Sequence, residues 1–244
     1  MSEAAVYAGV ELGASKCVVR LARGPDEVLA RETVATTTPV ETLARIGETL
    51  SRWRSGQGFA ALGIASFGPV DLDAGSRTYG HITSTPKPGW NGVDVAGQLQ
   101  RVAGVPTAFD TDVNGAALAE MRWGSGRTMN DFAYVTVGTG VGVGLIANGL
   151  PMRGFAHCEL GHIRVARLAG DAFAGSCPYH GDCVEGLAAG PVPVPAAVPQ
   201  ARVRVTPPPE PSAIPETPPP VQPLHAVPAM PPVSAVAHRN GYEP

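Results

Sequence analysis

The chain has 244 residues, 44% of them hydrophobic, and a net charge of -3. That is enough to bury a sizeable core, and the charge balance supplies no electrostatic basis for holding nucleic acid or an anionic membrane. No apolar run reaches membrane-spanning length and Met1-Ser2-Glu3 lacks a basic signal-peptide start, so the expectation is a cytoplasmic protein without membrane or nucleic-acid partners.

Val6–Leu12 is a short apolar run that predicts a strand. Cys17–Leu21 predicts a second and Glu27–Val34 a third, with Gly24-Pro25-Asp26 turning between them. Then the period changes. Thr38-Pro39-Val40-Glu41 reads as a capping box with proline in the first helical position. Val40, Leu43, Ile46, Leu50 and Trp53 follow at helical spacing. Ala60–Ser66 predicts a strand that runs into Phe67-Gly68-Pro69-Val70-Asp71. Asp94 caps a helix through Val102, Pro106–Asp110 is a strand, and Asn114–Trp123 is a helix. Phe132–Val137 and Val141–Asn148 are strands around a glycine turn. The order is βββαβαβα followed by a new ββ start, which is α/β.

From Pro191 the composition changes. Seventeen of the 25 prolines fall between Pro191 and Pro244, in runs such as Pro207-Pro208-Pro209. A segment of this kind has no periodicity with which to bury a core. It is expected to be extended or disordered, or else an out-of-frame product of a GC-rich gene. The expected divisions are a first lobe over 5–113, a partial second lobe over 114–190, and the proline-rich tail over 191–244.

Two glycine turns of one design carry the chemistry. The first is Gly9-Val10-Glu11-Leu12-Gly13-Ala14-Ser15-Lys16 and the second is Val137-Gly138-Thr139-Gly140-Val141-Gly142-Val143-Gly144. Small residues let backbone N–H groups close on an anion, and each turn holds a hydroxyl. Either turn alone is equally an ordinary hairpin. Between them lies Asp110-Thr111-Asp112. Asp112 stands at a strand end before a helix, where α/β sites gather. It is a candidate base for a hydroxyl nucleophile, with an N-cap as its alternative role. His162, Cys177, His180 and Cys183 supply two thiolates and two imidazoles, a closed tetrahedral set for structural Zn²⁺, with His157 as a rival ligand. Cys17 and Cys158 stand alone. Trp90 suits either a sugar-facing wall or a core anchor, and Lys87 either a ligand contact or a solvated loop.

Taken together, Gly9–Lys16, Phe67–Asp71, Asp110–Asn114, Gly138–Gly144, Glu159–His162 and the Cys177–Cys183 cluster resemble the ROK sugar kinases. Thr85-Pro86-Lys87-Pro88-Gly89-Trp90 and Cys177-Pro178-Tyr179-His180-Gly181-Asp182-Cys183 look specifically like the bacterial fructokinases of that family. The resemblance covers residues 5–191. It implies an actin-like ATPase (ribonuclease H-like) fold of two lobes and ATP-dependent phosphorylation of fructose at its 6-hydroxyl. It implies Mg²⁺ with the ATP, Zn²⁺ in the Cys/His cluster, and a homodimer where the second lobe is complete. By the same resemblance Asp112 is the catalytic base. Glu11, Gly13, Ala14, Ser15, Lys16, Gly138, Thr139 and Gly140 hold the nucleotide. Gly68, Pro69, Lys87, Trp90, Asn114 and Glu159 face the sugar.

Ala14 and Ser15 stand where the family often has Gly-Thr, Thr111 stands where many members have Asn, and Cys158 replaces a proline. The family's later segments are not found after Pro191, which leads to an expectation of impaired activity. The alternatives are a kinase for another hexose or amino sugar, a non-catalytic sugar-binding or repressor relative, and a scaffold whose tail meets SH3-like grooves.

Overall fold

The computed structural model describes residues 4–153 and 157–190. The sequence expectations for the tail fall on 191–244, outside the described residues. Three antiparallel-linked strands open the fold: β1 (Tyr7–Leu12), β2 (Lys16–Ala22) and β3 (Val28–Ala35). Helix α1 (Pro39–Ser55) then crosses to β4 (Ala61–Ser66), which pairs parallel with β1. Helix α2 (Val95–Ala103) crosses to β5 (Thr107–Thr111), parallel to β4. The resulting sheet has the order β3-β2-β1-β4-β5.

Alternation sets which face of the first sheet is buried. Val10 and Leu12 of β1 and Leu62 and Ile64 of β4 go inward with Cys17, Val19 and Leu21 of β2. Onto them α1 lays Leu43, Ile46, Leu50 and Trp53, and α2 lays Val95 and Leu99. Val40, counted with the apolar stripe of α1 in the sequence, is instead 81% exposed, because it lies in the first turn ahead of the packed face. Both caps form as expected: Thr38 accepts from Glu41 N–H and Asp94 from Gly97 N–H.

Helix α3 (Asp112–Trp123) follows β5 without a loop, capped by Thr111, whose hydroxyl accepts from Asn114 N–H. The cap is therefore Thr111, and the Asp112 carboxylate is not used for it. Beyond α3 a second sheet forms in the order β6 (Phe132–Val137), β7 (Val141–Ala147) and β8 (Leu150–Pro151), all antiparallel. β6 is an edge strand and exposes Val135 and Val137. A short 3₁₀ turn, Leu160–His162, and helix α4 (Val184–Ala188) complete the described part.

Helix α3 touches both sheets because small residues let it. A Cβ on Gly115 would lie 3.0 Å from the Ala65 Cβ on β4. On the other side, a Cβ on Gly142 would meet Val113 Cγ1 at 2.6 Å, and one on Gly144 would meet the Val113 carbonyl oxygen at 2.2 Å. Gly142 and Gly144, counted with the second glycine turn in the sequence, are thus packing residues of β7. Gly144→Ala is expected to lower stability by about 2 kcal/mol or more, because backbone rather than a movable side chain blocks the new methyl. Thermal denaturation followed by circular dichroism checks this; an unchanged Tm would mean that α3 shifts freely on β7.

Candidate active site between two glycine turns

The two turns are three-residue hairpin loops of matching build. Residues 13–15 join Leu12 to Lys16, and residues 138–140 join Val137 to Val141. In the first, Gly13 N–H donates to the Lys16 carbonyl, which takes it out of the set of donors facing an anion. A Cβ on Gly13 would lie 2.7 Å from that same oxygen. The Thr36 hydroxyl donates to Gly13 O and Thr36 N–H to Ser15 O, so β3 braces the loop from behind. The N–H groups of Ala14 and Ser15 make no bond among the described residues. Ala14 is not in the positive-φ region, so alanine fits there without backbone strain. In the second turn Gly138 N–H donates to Gly140 O, and α4 braces it: Gly190 N–H donates to Gly138 O, and the Glu185 carboxylate accepts from Val141 N–H at 3.0 Å.

Between the turns lies a cleft of about 670 Å³ lined by Ala14, Lys87, Asp112, Thr139, His157 and Glu159, among others. A larger groove of about 830 Å³ runs between α1 and α2, but neither turn, Asp112 nor the Cys/His cluster lines it, so the smaller cleft is the chemical one. The Lys87 Nζ donates to Ala14 O at 2.7 Å, tying the 84–90 loop to the first turn. Gly68, Pro69, Gly138 and Gly140 also line the cleft, whereas Glu11, Gly13, Ser15 and Lys16 lie outside its lining.

Two expected sugar contacts sit elsewhere. Trp90 is fully buried, packed edge-on against Phe67 with ring centroids 5.3 Å apart, and its Nε1–H donates to Thr37 O. It is the core anchor of its loop and reaches the cleft only through Phe67, because its one polar atom already has an internal partner. Asn114 is 3% exposed and its side-chain amide donates to Asp110 Oδ1 at 2.8 Å. Asp110 also pairs with Arg153 at 3.3 Å. These contacts hold the strand end beside Asp112 and do not reach into the cleft.

Asp112 is the electrostatically unusual group. Burial pushes its carboxyl up from 3.8 to about 6, and the nearby Glu11 and Glu159 carboxylates add to the rise, against a lowering bond from Val113 N–H. A carboxylate poised near neutrality, in a cleft, at the first residue of a helix, has the protonation behaviour of a general base.

At the far side of the cleft, four ligand atoms of His162, Cys177, His180 and Cys183 lie within 4.8 Å of one another. Cys177 Sγ is 3.5 Å from His162 Nδ1 and 3.8 Å from His180 Nδ1, and Cys183 Sγ is 3.6 Å from His162 Nδ1. For tetrahedral Zn²⁺ with Zn–S about 2.3 Å and Zn–N about 2.0–2.1 Å, neighbouring ligand atoms should be about 3.3–3.8 Å apart. The donor set and its spacing fit that ion. A tight loop brings the ligands together: Cys177 and Gly181 exchange both backbone hydrogen bonds, with Gly181 at φ +65°. His157 is not part of the cluster; its Nε2 lies 3.3 Å from Val70 N and 3.3 Å from Glu159 Oε1.

Glu159 sits at φ +40°, a left-handed conformation uncommon for a non-glycine residue. Sequence reasoning missed Glu185. Its Oε2 holds the second glycine turn and its Oε1 is 4.0 Å from His162 Nε2, so it bridges the turn and the cluster. The available signal was its place two residues after Cys183, on the first turn of α4.

The fructokinase of Zymomonas mobilis subsp. mobilis is 46% identical over 188 residues, covering 76% of this chain and 62% of that enzyme. The fructokinase of Lactococcus lactis subsp. cremoris is 41% identical over 186 residues, again 76% of this chain and 62% of the relative. The chain therefore spans about three fifths of the length of these relatives. Among solved structures, a ROK hexokinase from Thermus thermophilus superposes with a TM-score of 0.60 at 27% identity, covering 76% of this chain and 60% of that one. A ROK glucokinase from Streptomyces griseus, solved with glucose and AMPPNP, gives 0.57 at 28%, covering 66% of this chain and 51% of that one. The fold is the actin-like ATPase fold of these kinases. Residues 7–194 match the ROK family, a span that holds both glycine turns, Asp112 and all four Cys/His ligands, and the chain belongs to that family.

Proposed function

We propose that the protein is an ATP-dependent fructokinase that transfers the γ-phosphoryl group of ATP to the 6-hydroxyl of fructose. The observation that carries this reading is the placement of Asp112, a carboxyl raised to about 6, in one cleft with the second glycine turn and Glu159. Similarity to the two fructokinases supports fructose as the sugar.

The residues divide the work as follows. Asp112 takes the proton from the attacking hydroxyl as its oxygen bonds to phosphorus, and ADP leaves. The N–H groups of Ala14, Thr139 and Gly140, which line the cleft, would face the phosphates. Glu11, close enough to raise Asp112, is the carboxylate that would meet the Mg²⁺ accompanying ATP, which neutralises phosphate charge when bound. Glu159, Gly68, Pro69 and Lys87 face the sugar. The Cys/His cluster would hold Zn²⁺ and so lock the Leu160–His162 turn to the 177–183 loop.

An ADP-release assay of the purified chain with Mg·ATP and a panel of fructose, glucose, mannose and N-acetylmannosamine tests the proposal. The expected result is the highest kcat/KM for fructose. Glucose well ahead of fructose would transfer the reading to the hexokinase relatives, and no turnover on any sugar would overturn it.

The raised Asp112 carboxyl also sets a pH dependence. The base works only when deprotonated, so kcat/KM should fall about tenfold per unit as pH drops below about 6 and level off above about 7. A profile flat from pH 5 to 8 would place the base elsewhere.

A further inference from the structure

His157 belongs neither to the metal cluster nor to the nucleotide turns, yet it is wedged into the sugar side of the cleft. Its side chain is 9% exposed. One ring nitrogen, Nε2, lies at equal range from two neighbours: it accepts from Val70 N–H at 3.3 Å and stands 3.3 Å from Glu159 Oε1. A Cβ on Gly68 would lie 3.1 Å from that same nitrogen, so the ring closes directly over the Gly68–Val70 backbone. The other Glu159 oxygen is 3.9 Å from His162 Nε2. The Glu159 carboxylate is thereby bracketed by two imidazoles. The Cys/His cluster orients His162, and the Val70 amide orients His157.

We infer that His157 is a positioning residue that sets the Glu159 carboxylate for the sugar from its place against the Gly68–Val70 loop. This rests on the kinase reading given above. Nε2 carries either a lone pair or a proton. With a lone pair it accepts from Val70 N–H; with a proton it donates to Glu159. The ring thus serves one partner at a time. Glu159 has reason to need such help, because its backbone is in the left-handed region and its carboxylate makes no bond with a backbone N–H among the described residues.

A side-chain amide at this position has both an acceptor and a donor, so it meets Val70 N–H and Glu159 together. An alkyl side chain of similar size meets neither. This separates positioning from mere filling of space.

The experiment compares the full chain with His157→Ala, His157→Gln and His157→Leu, each checked for a cooperative melt. Fructose binding is followed by calorimetry, and steady-state kinetics are measured with Mg·ATP. His157→Ala and His157→Leu should raise the fructose Kd and KM about tenfold, with KM for ATP within about twofold and kcat within a few-fold. His157→Gln should stay within about threefold of the parent protein. If leucine restores binding and glutamine does not, the ring only fills space and the inference fails. It fails also if His157→Ala binds fructose normally. Should His157→Ala not fold, the glutamine and leucine variants decide between the two. Fructose binding by the parent protein without turnover would sink the kinase reading alone, since calorimetry still decides on His157. Turnover with an unchanged fructose KM in all three variants would sink the His157 inference alone. Neither binding nor turnover in the parent protein would sink both.

Discussion

Asp112→Asn is expected to abolish most fructose phosphorylation while making the protein more stable at alkaline pH. The amide keeps the shape and can still accept from Val113 N–H, but it cannot take a proton from the sugar hydroxyl. Loss of a general base in this role lowers kcat by a factor on the order of 10² or more. ATP affinity should be nearly unchanged, because the contacts proposed for the nucleotide lie on the two turns. The stability effect follows from the raised carboxyl. Its folded value of about 6 lies above the ordinary 3.8. Between about pH 4 and 6 the folded chain therefore holds a proton that the unfolded chain has released, and stability from this group declines as pH rises through that window. Above about pH 6 the full penalty of a buried carboxylate is present, on the order of 2–3 kcal/mol. Asparagine removes it. Tm of the variant should exceed that of the parent protein by several degrees at pH 8, and the gap should close near pH 4. Turnover within a few-fold of the parent protein would move the base to Glu159 or Asp110. An equal Tm at pH 8 would show that Asp112 is not a buried charge.

Cys177→Ser carries the second large effect. Serine is similar in size but a poor zinc ligand, so the variant tests the metal and not the packing. The purified protein is expected to hold one Zn²⁺ per chain. Cys177→Ser should lose most of it and melt about 10 °C lower, since ligand binding free energy at a structural site is folding free energy. Removal of metal by a chelator should reproduce that loss in the parent protein. Elemental analysis showing no stoichiometric zinc, or a variant with unchanged Tm, would overturn the zinc assignment.

Much of the local structure was legible in the sequence because it rests on near neighbours. Thr38 and Asp94 cap their helices through bonds three residues away, and the strand limits follow apolar runs closed by Gly and Pro. The four candidate metal ligands were legible for the same reason. Three of them, Cys177, His180 and Cys183, recur at spacing three within one loop, and His162 is the nearby donor that completes the set. Asp112 was marked by its position between a strand and a helix.

What tertiary structure alone decided involves partners distant in sequence. Trp90 became a core residue because Thr37 O and Phe67 come to meet it. Gly142 and Gly144 became packing residues because α3 lies against β7, an approach set by the side chain and backbone of Val113 and not by any turn. His157 was set beside Glu159 and away from the Cys/His cluster by Val70, 87 residues earlier. Glu185 came to hold Val141 N–H across 44 residues. The Asp112 value arises from burial and from Glu11 and Glu159, which only the folded chain brings near it. Local hydrogen bonding and periodicity are written in short windows of sequence. Burial, charge proximity and the choice among competing ligands are properties of space, and they become definite only when the two sheets close around α3.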